Sequence, residues 1–162
     1  MKRTLLLLLL FPISVFAQSV NKPFISVEGE VLKPLKLTMN DLVNLKETEV
    51  KAKDKEGKEH TYKGVRLFDI LDSAGVTLGK DLRGKNLTKY VLLQAADGYE
   101  VTFTLPEVDP EFTSQTIIVA YIVDGIPLPK SEGPFRIVAP NDKKQARWIR
   151  ELTTIKVLFS KE

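Results

Sequence analysis

Apolar and polar positions alternate along most of the chain, and the alternation predicts short strands. Phe24–Val31 reads as a first strand, with Ile25, Val27 and Val31 on one side and Gly29 within it. Lys33-Pro34 turns the chain, and Leu35 and Leu37 resume the period of two. Thr38 is placed as a helix N-cap with Asp41 in the first turn, where a carboxylate suits the positive end of the helix dipole. Leu42 and Leu45 give that short helix its apolar side, and it is expected to end near Lys46. Leu67, Ile70, Leu71 and Ala74 fall at helical spacing within Arg66–Ala74, and Gly75 follows as the expected C-terminal glycine. Val76–Lys89 is an irregular polar connection. Tyr90–Ala95 and the alternating Val101, Phe103 and Leu105 flank Asp97-Gly98, a strong hairpin signal. Leu105-Pro106-Glu107-Val108 breaks the alternation and leaves Glu107 just past a strand end, and Asp109–Gln115 is a loop.

The pattern is densest between Ile117 and Trp148. Ile117–Val123 is a continuous apolar run, as expected of a strand buried on both faces. Asp124-Gly125 turns it, and Pro127, Pro129 and Pro134 hold the next segment extended. Phe135–Ala139 is apolar except for Arg136, Asn141–Lys144 is a polar, basic turn, and Ile155–Phe159 is a last strand. Many short strands and few short helices, without regular strand–helix alternation, indicate a mixed α+β domain with a β-rich core.

Length and composition refine this picture. The chain has 162 residues, enough for one domain with a real core. Its start has the pattern of an export signal. Lys2 and Arg3 precede an apolar stretch, Leu5–Val15, too short to span a bilayer, and Val15-Phe16-Ala17 sets a cut after Ala17. The expectation is a signal peptide at 1–17, a single domain at 18–162 and a periplasmic location. Cleavage leaves 22 basic residues against 21 acidic, a net charge of +1, so nucleic acid is not an indicated partner. The chain has no cysteine and one histidine, His60. That excludes disulfides, thiolate nucleophiles and iron–sulfur clusters, and disfavours a transition-metal site. Glu47–Thr61, where lysines and acids interleave, reads as a solvated strand–turn–strand, with His60 an exposed surface histidine.

Five motifs run in order: Tyr62-x-Gly64-Val65-x-Leu67-x-x-Ile70-Leu71-x-x-Ala74-Gly75; Ala96-Asp97-Gly98-Tyr99; Asp124-Gly125-x-Pro127-Leu128; Gly133-Pro134-x-Arg136-Ile137-Val138-x-Pro140; and Arg147-Trp148. In this series the chain resembles the molybdopterin-binding domain of the sulfite oxidase family, most of all its small, exported, stand-alone members. The resemblance implies a mixed α+β, β-rich domain with a pterin cofactor in a cleft lined by loops. It also exposes two departures. Family enzymes ligate molybdenum through a cysteine in the region that here reads Val50–Glu59, and their usual histidine before Gly-x-Pro is replaced by Ser131-Glu132. A pterin or molybdopterin-like ligand is therefore the expected cofactor, without molybdenum. Cysteine-free relatives of this kind imply a partner, a membrane-bound cyclic-di-GMP enzyme or another sensor protein.

A pterin needs a stacking face, an acceptor for its amino and ring N–H groups and donors for its carbonyl. Trp148 or Tyr99 is the candidate face, with core packing the alternative for either. Glu107 is the first candidate acceptor, with Asp97 and Glu132 as rivals, although Asp97 also has a plain turn-forming role. Arg136, in an apolar strand, needs a ligand or an internal acid such as Glu107. Arg147 is a donor to a carbonyl or phosphate, and Ser131 adds a polar group on the same loop. Three functions follow: a non-catalytic pterin-binding protein reporting to a membrane partner, a molybdopterin-dependent oxidoreductase without a cysteine ligand, and a ligand-free interaction module on the same fold.

Overall fold

The structure is a computed structural model that describes residues 22–160. The expected signal peptide lies outside the described residues. Within them the fold is mixed α+β and rich in sheet: ten strands in two five-stranded sheets, with three short helices. No helix among the described residues is long and apolar enough to cross a membrane.

The first sheet has the order β2-β1-β10-β5-β6, from β1 (Phe24–Gly29), β2 (Leu35–Thr38), β5 (Lys89–Ala95), β6 (Glu100–Thr104) and β10 (Leu152–Phe159). The first and last of the described strands meet here, because β1 and β10 pair in parallel. Gly29 has no room for a side chain: a Cβ there would sit 2.1 Å from the Val157 carbonyl oxygen, and its φ is +92°. The second sheet has the order β3-β4-β7-β8, from β3 (Glu47–Lys53), β4 (Glu59–Arg66), β7 (Ile118–Val123) and β8 (Ile126–Pro127), and β9 (Arg136–Val138) also pairs with β7. Its central strand, β7, is the apolar run expected from the sequence, and Ile118–Tyr121 are all buried.

The helices form where their local signals stand. Thr38 and Asp41 make a reciprocal capping box on α1 (Met39–Val43), which stops three residues short of the expected end. Helix α2 (Leu67–Ser73) buries Leu67, Ile70 and Leu71 and is followed by Gly75 at φ +72°. Helix α3 (Leu105–Val108) forms where the sequence shows only a break in the strand alternation. Pro106 sits at its start and Thr104 with Glu107 closes a second capping box. The last strand also begins three residues earlier than expected, at Leu152.

One continuous core joins the sheets. It gathers Ile25, Val27, Leu93, Phe103 and Ile155 from the first sheet, Val65, Val119 and Ile137 from the second, and the buried side of α2. A backbone ladder stitches the two together near the candidate site. Glu151, Leu152 and Ile137 donate to the carbonyls of Glu132, Phe135 and Ile149, at 3.0, 2.9 and 2.8 Å. The loop before β9 and the loop before β10 are thereby locked side by side.

Candidate functional site

Those two loops, with the β3–β4 turn, wall a cleft of three adjoining hollows. The largest, about 600 Å³, lies between Lys51–Lys55 with Glu59 on one side and Pro140 with Asp142–Gln145 on the other, and Trp148 stands at its floor. A second, about 360 Å³, runs past Asp97, Tyr99, Ser131 and Arg150. A third, about 250 Å³, is lined by Asp54, His60, Tyr62, Glu132, Arg136 and Arg150. Gln145 borders all three. It also ties the walls together, because its side-chain amide donates to the Lys53 carbonyl. A separate apolar groove of about 510 Å³ lies elsewhere, around Phe24, Pro134 and Leu152.

The charged β3–β4 hairpin is strand–turn–strand as expected, but it is more than a solvated face. Its end, Lys51–Lys55, is one wall of the largest hollow. Five lysines ring that mouth: Lys51, Lys53, Lys55, Lys143 and Lys144. The acids there are largely engaged, Asp142 by Arg147 and Asp54 by His60 and the Lys58 N–H.

Of the expected ligand residues, six border the cleft: Asp97, Tyr99, Ser131, Glu132, Arg136 and Trp148. Trp148 does so from the core. It is only 4% exposed, its indole N–H donates to the Ala139 carbonyl at 3.0 Å, and the Tyr62 ring meets it edge-on at 6.0 Å. Core packing is thus its main role, and little of its face is open for stacking. Tyr99 is the reverse: 51% exposed, with its hydroxyl anchored on the Ala146 carbonyl at 2.9 Å. Asp97 forms the turn, accepting from the Tyr99 N–H at 2.9 Å.

Glu107 and Arg147, by contrast, are not among the residues that line these three hollows. Glu107 caps α3 and accepts from Arg147 Nη1 at 2.9 Å. The other edge of the Arg147 guanidinium grips Asp142 in two hydrogen bonds, at 3.0 and 2.6 Å, and its plane lies 4.1 Å above the Phe103 ring. Burial raises the Glu107 carboxyl, but the Thr104 N–H and Arg147 outweigh it and hold it below its ordinary value. With Arg147 held between Asp142 and Glu107, this trio braces the Asn141–Lys144 turn.

Arg136 also differs from the sequence expectation. Its acid partner is Glu132, four residues back, and not Glu107. The guanidinium lies 5.6 Å from the Tyr62 ring and 5.7 Å from the Trp148 ring, and its Nε has no hydrogen-bond partner. An orphaned N–H on a buried cation is a standing demand for an acceptor.

His60 is the residue that sequence reading missed. Its side chain is only 17% exposed, and both ring nitrogens are engaged, Nδ1 with Asp124 at 2.6 Å and Nε2 with Asp54 at 3.2 Å. Asp124 first, then Asp54, raises its pKa above the ordinary histidine value. The Asp124-Gly125 turn carries positive φ at both residues, which aims the Asp124 carboxylate back at β4. The signal was the long-range meeting of that turn with β4, which local sequence does not display.

No curated protein matches the chain. Among solved structures, the fold is similar to that of the sulfane dehydrogenase SoxCD from Paracoccus pantotrophus, with a TM-score of 0.66 and 19% identity. The match covers 83% of this chain but 38% of that one, so this protein spans well under half the length of that relative. A family model matches residues 53–161, from the cleft wall at Lys53 through β10. The chain belongs to the oxidoreductase molybdopterin binding domain family and has its sulfite oxidase-like α+β fold.

Proposed function

We propose that this protein binds a pterin without molybdenum, and that it acts as a non-catalytic binding protein. The observation that carries the reading is the make-up of the cleft. Its wall at Lys51–Lys55 lies in the region where the resemblance expects the metal-binding cysteine, and it offers lysine, alanine and aspartate in place of a thiolate. Among the described residues no group of three histidine, cysteine or acidic side chains could hold a metal ion. The donor set therefore does not fit a protein-ligated molybdenum centre.

The same cleft suits the organic part of the cofactor. The adjoining hollows of about 360 and 250 Å³ that carry the candidate groups are together in the range of small-molecule pockets. Tyr99 supplies an exposed aromatic face, Glu132 and Asp54 supply acceptors for amino and ring N–H groups, and the half-exposed Arg150 supplies a donor. Export to the periplasm and a membrane-bound signalling partner, such as a cyclic-di-GMP enzyme, complete the proposal and rest on the leader sequence and the resemblance.

The test is release of bound small molecule on denaturing the protein purified from a periplasm, read by fluorescence, mass spectrometry and metal analysis. A fluorescent pterin without molybdenum is expected. Stoichiometric molybdenum with molybdopterin would overturn the reading in favour of an oxidoreductase, which family membership supports at the coarser level. An empty protein that ignores added pterins in a thermal titration would leave the interaction module.

A further inference from the structure

Glu132 stands where two arginines converge. One carboxylate oxygen accepts from Arg136 Nη1, and the other is 3.6 Å from Arg150 Nη2. Arg136 is 4% exposed, so its charge is largely cut off from water, whereas Arg150 is about half exposed. No other acid is within ion-pair distance of either guanidinium among the described residues. The remaining acids of this hollow are Asp54, held by His60 and the Lys58 N–H, and Glu56, paired with Lys55. Glu132 alone therefore neutralises the buried guanidinium.

Two arginine forks around one carboxylate make an anion seat. In this chain the seat is filled from within. We propose that Glu132 sets the charge of the ligand the cleft accepts, admitting an uncharged, N–H-bearing head group beside Arg136 and Arg150 and turning away a phosphate, sulfate or carboxylate. An incoming anion would have to separate Glu132 from a desolvated cation and then lie next to the displaced carboxylate, an unfavourable contact at low local dielectric. A neutral heteroaromatic meets the opposite situation. The lone pairs that Glu132 does not give to the arginines accept its N–H groups, and the half-exposed Arg150 is placed to donate to a carbonyl. The inference rests on reading the cleft as a ligand site, but not on the ligand being a pterin.

The test uses the full mature chain with inorganic phosphate as the probe, followed by NMR titration and by thermal shift at fixed ionic strength. Wild type is expected to bind phosphate only weakly, through its exposed lysines. Glu132→Gln removes the internal anion and keeps the shape, and its phosphate affinity is expected to rise on the order of tenfold or more, the scale of one to two charge-assisted hydrogen bonds. Adding Arg136→Gln to that variant is expected to erase the gain, which separates the seat from the lysines at the mouth. Should Glu132→Gln not fold, Glu132→Ser carries the same measurement. A folded Glu132 variant that binds phosphate no better than wild type would overturn the proposal. So would a wild-type protein whose phosphate binding is already strong and is lost with Arg136→Gln. Neither result depends on whether a pterin co-purifies, so failure here and failure of the pterin reading are told apart.

Discussion

His60 and Asp124 are 64 residues apart in sequence and 2.6 Å apart in space, joining β4 to the turn that follows β7 at the edge of the cleft. On its other side His60 meets Asp54 of the β3–β4 turn. One imidazole thus links the β3–β4 turn to the turn that follows β7.

This link predicts a pH dependence. Asp124 and then Asp54 raise the His60 pKa in the folded state, against smaller opposing effects of burial and Lys58, so the folded protein holds the proton more tightly than the unfolded chain. The resulting stability is fully present below the unfolded value of about 6.5 and is lost as pH rises through the raised folded value. The Asp124 carboxyl is lowered, chiefly by His60, so its share is present above its unfolded value and lost as pH falls through the folded one. Thermal unfolding of wild type and His60→Gln should differ most below about pH 6.5 and progressively less as pH rises above it. A difference that stays constant with pH would show that the imidazole acts only by packing.

Tyr99 and Trp148 should separate ligand from scaffold. Trp148→Ala removes a buried ring and its hydrogen bond, and is expected to destabilise the fold by about 3–5 kcal/mol. Tyr99→Ala, at an exposed position, should change unfolding by less than about 1 kcal/mol while weakening pterin binding several-fold, the scale of a lost aromatic stack. Denaturant unfolding beside ligand titration reads both. Unchanged affinity in Tyr99→Ala would remove that ring from the site.

Glu107 is expected to matter for stability alone. Glu107→Ala breaks the α3 capping box and one arm of the Arg147 bracket, with a loss of about 1–2 kcal/mol in denaturant unfolding. Ligand affinity should be unchanged, and a large fall at retained stability would return Glu107 to the site.

Gly64 predicts the strictest requirement of the sheet. It lies at a register shift between β4 and β7, and a Cβ there would be 2.0 Å from the Val119 carbonyl oxygen. Gly64→Ala must push the two central strands apart, so a loss of more than about 3 kcal/mol or insoluble expression is expected. Near-wild-type unfolding of Gly64→Ala would mean that the bulge can relax.

What the sequence determined by itself is what short-range physics controls. Alternation and apolar runs place most strands, because facing a core imposes a period of two. Thr38-x-x-Asp41, Asp97-Gly98 and Asp124-Gly125 place a cap and two turns through bonds that span only a few residues. Thr104-x-x-Glu107 is the same kind of local signal, hidden in sequence by the alternation that runs into it. The missing thiolate is also legible without coordinates, since no fold can supply an absent residue.

Only the tertiary structure decided which charges meet. Glu107 meets Arg147 across 40 residues, and the loop before β9, laddered to the turn before β10, sets Glu132 between Arg136 and Arg150. Trp148 went into the core for the same reason, with its N–H taken by Ala139. His60 gained two acids from turns 6 and 64 residues away. Electrostatic pairing depends on distance in space, and where chain segments cross is set by how two sheets bury one common core.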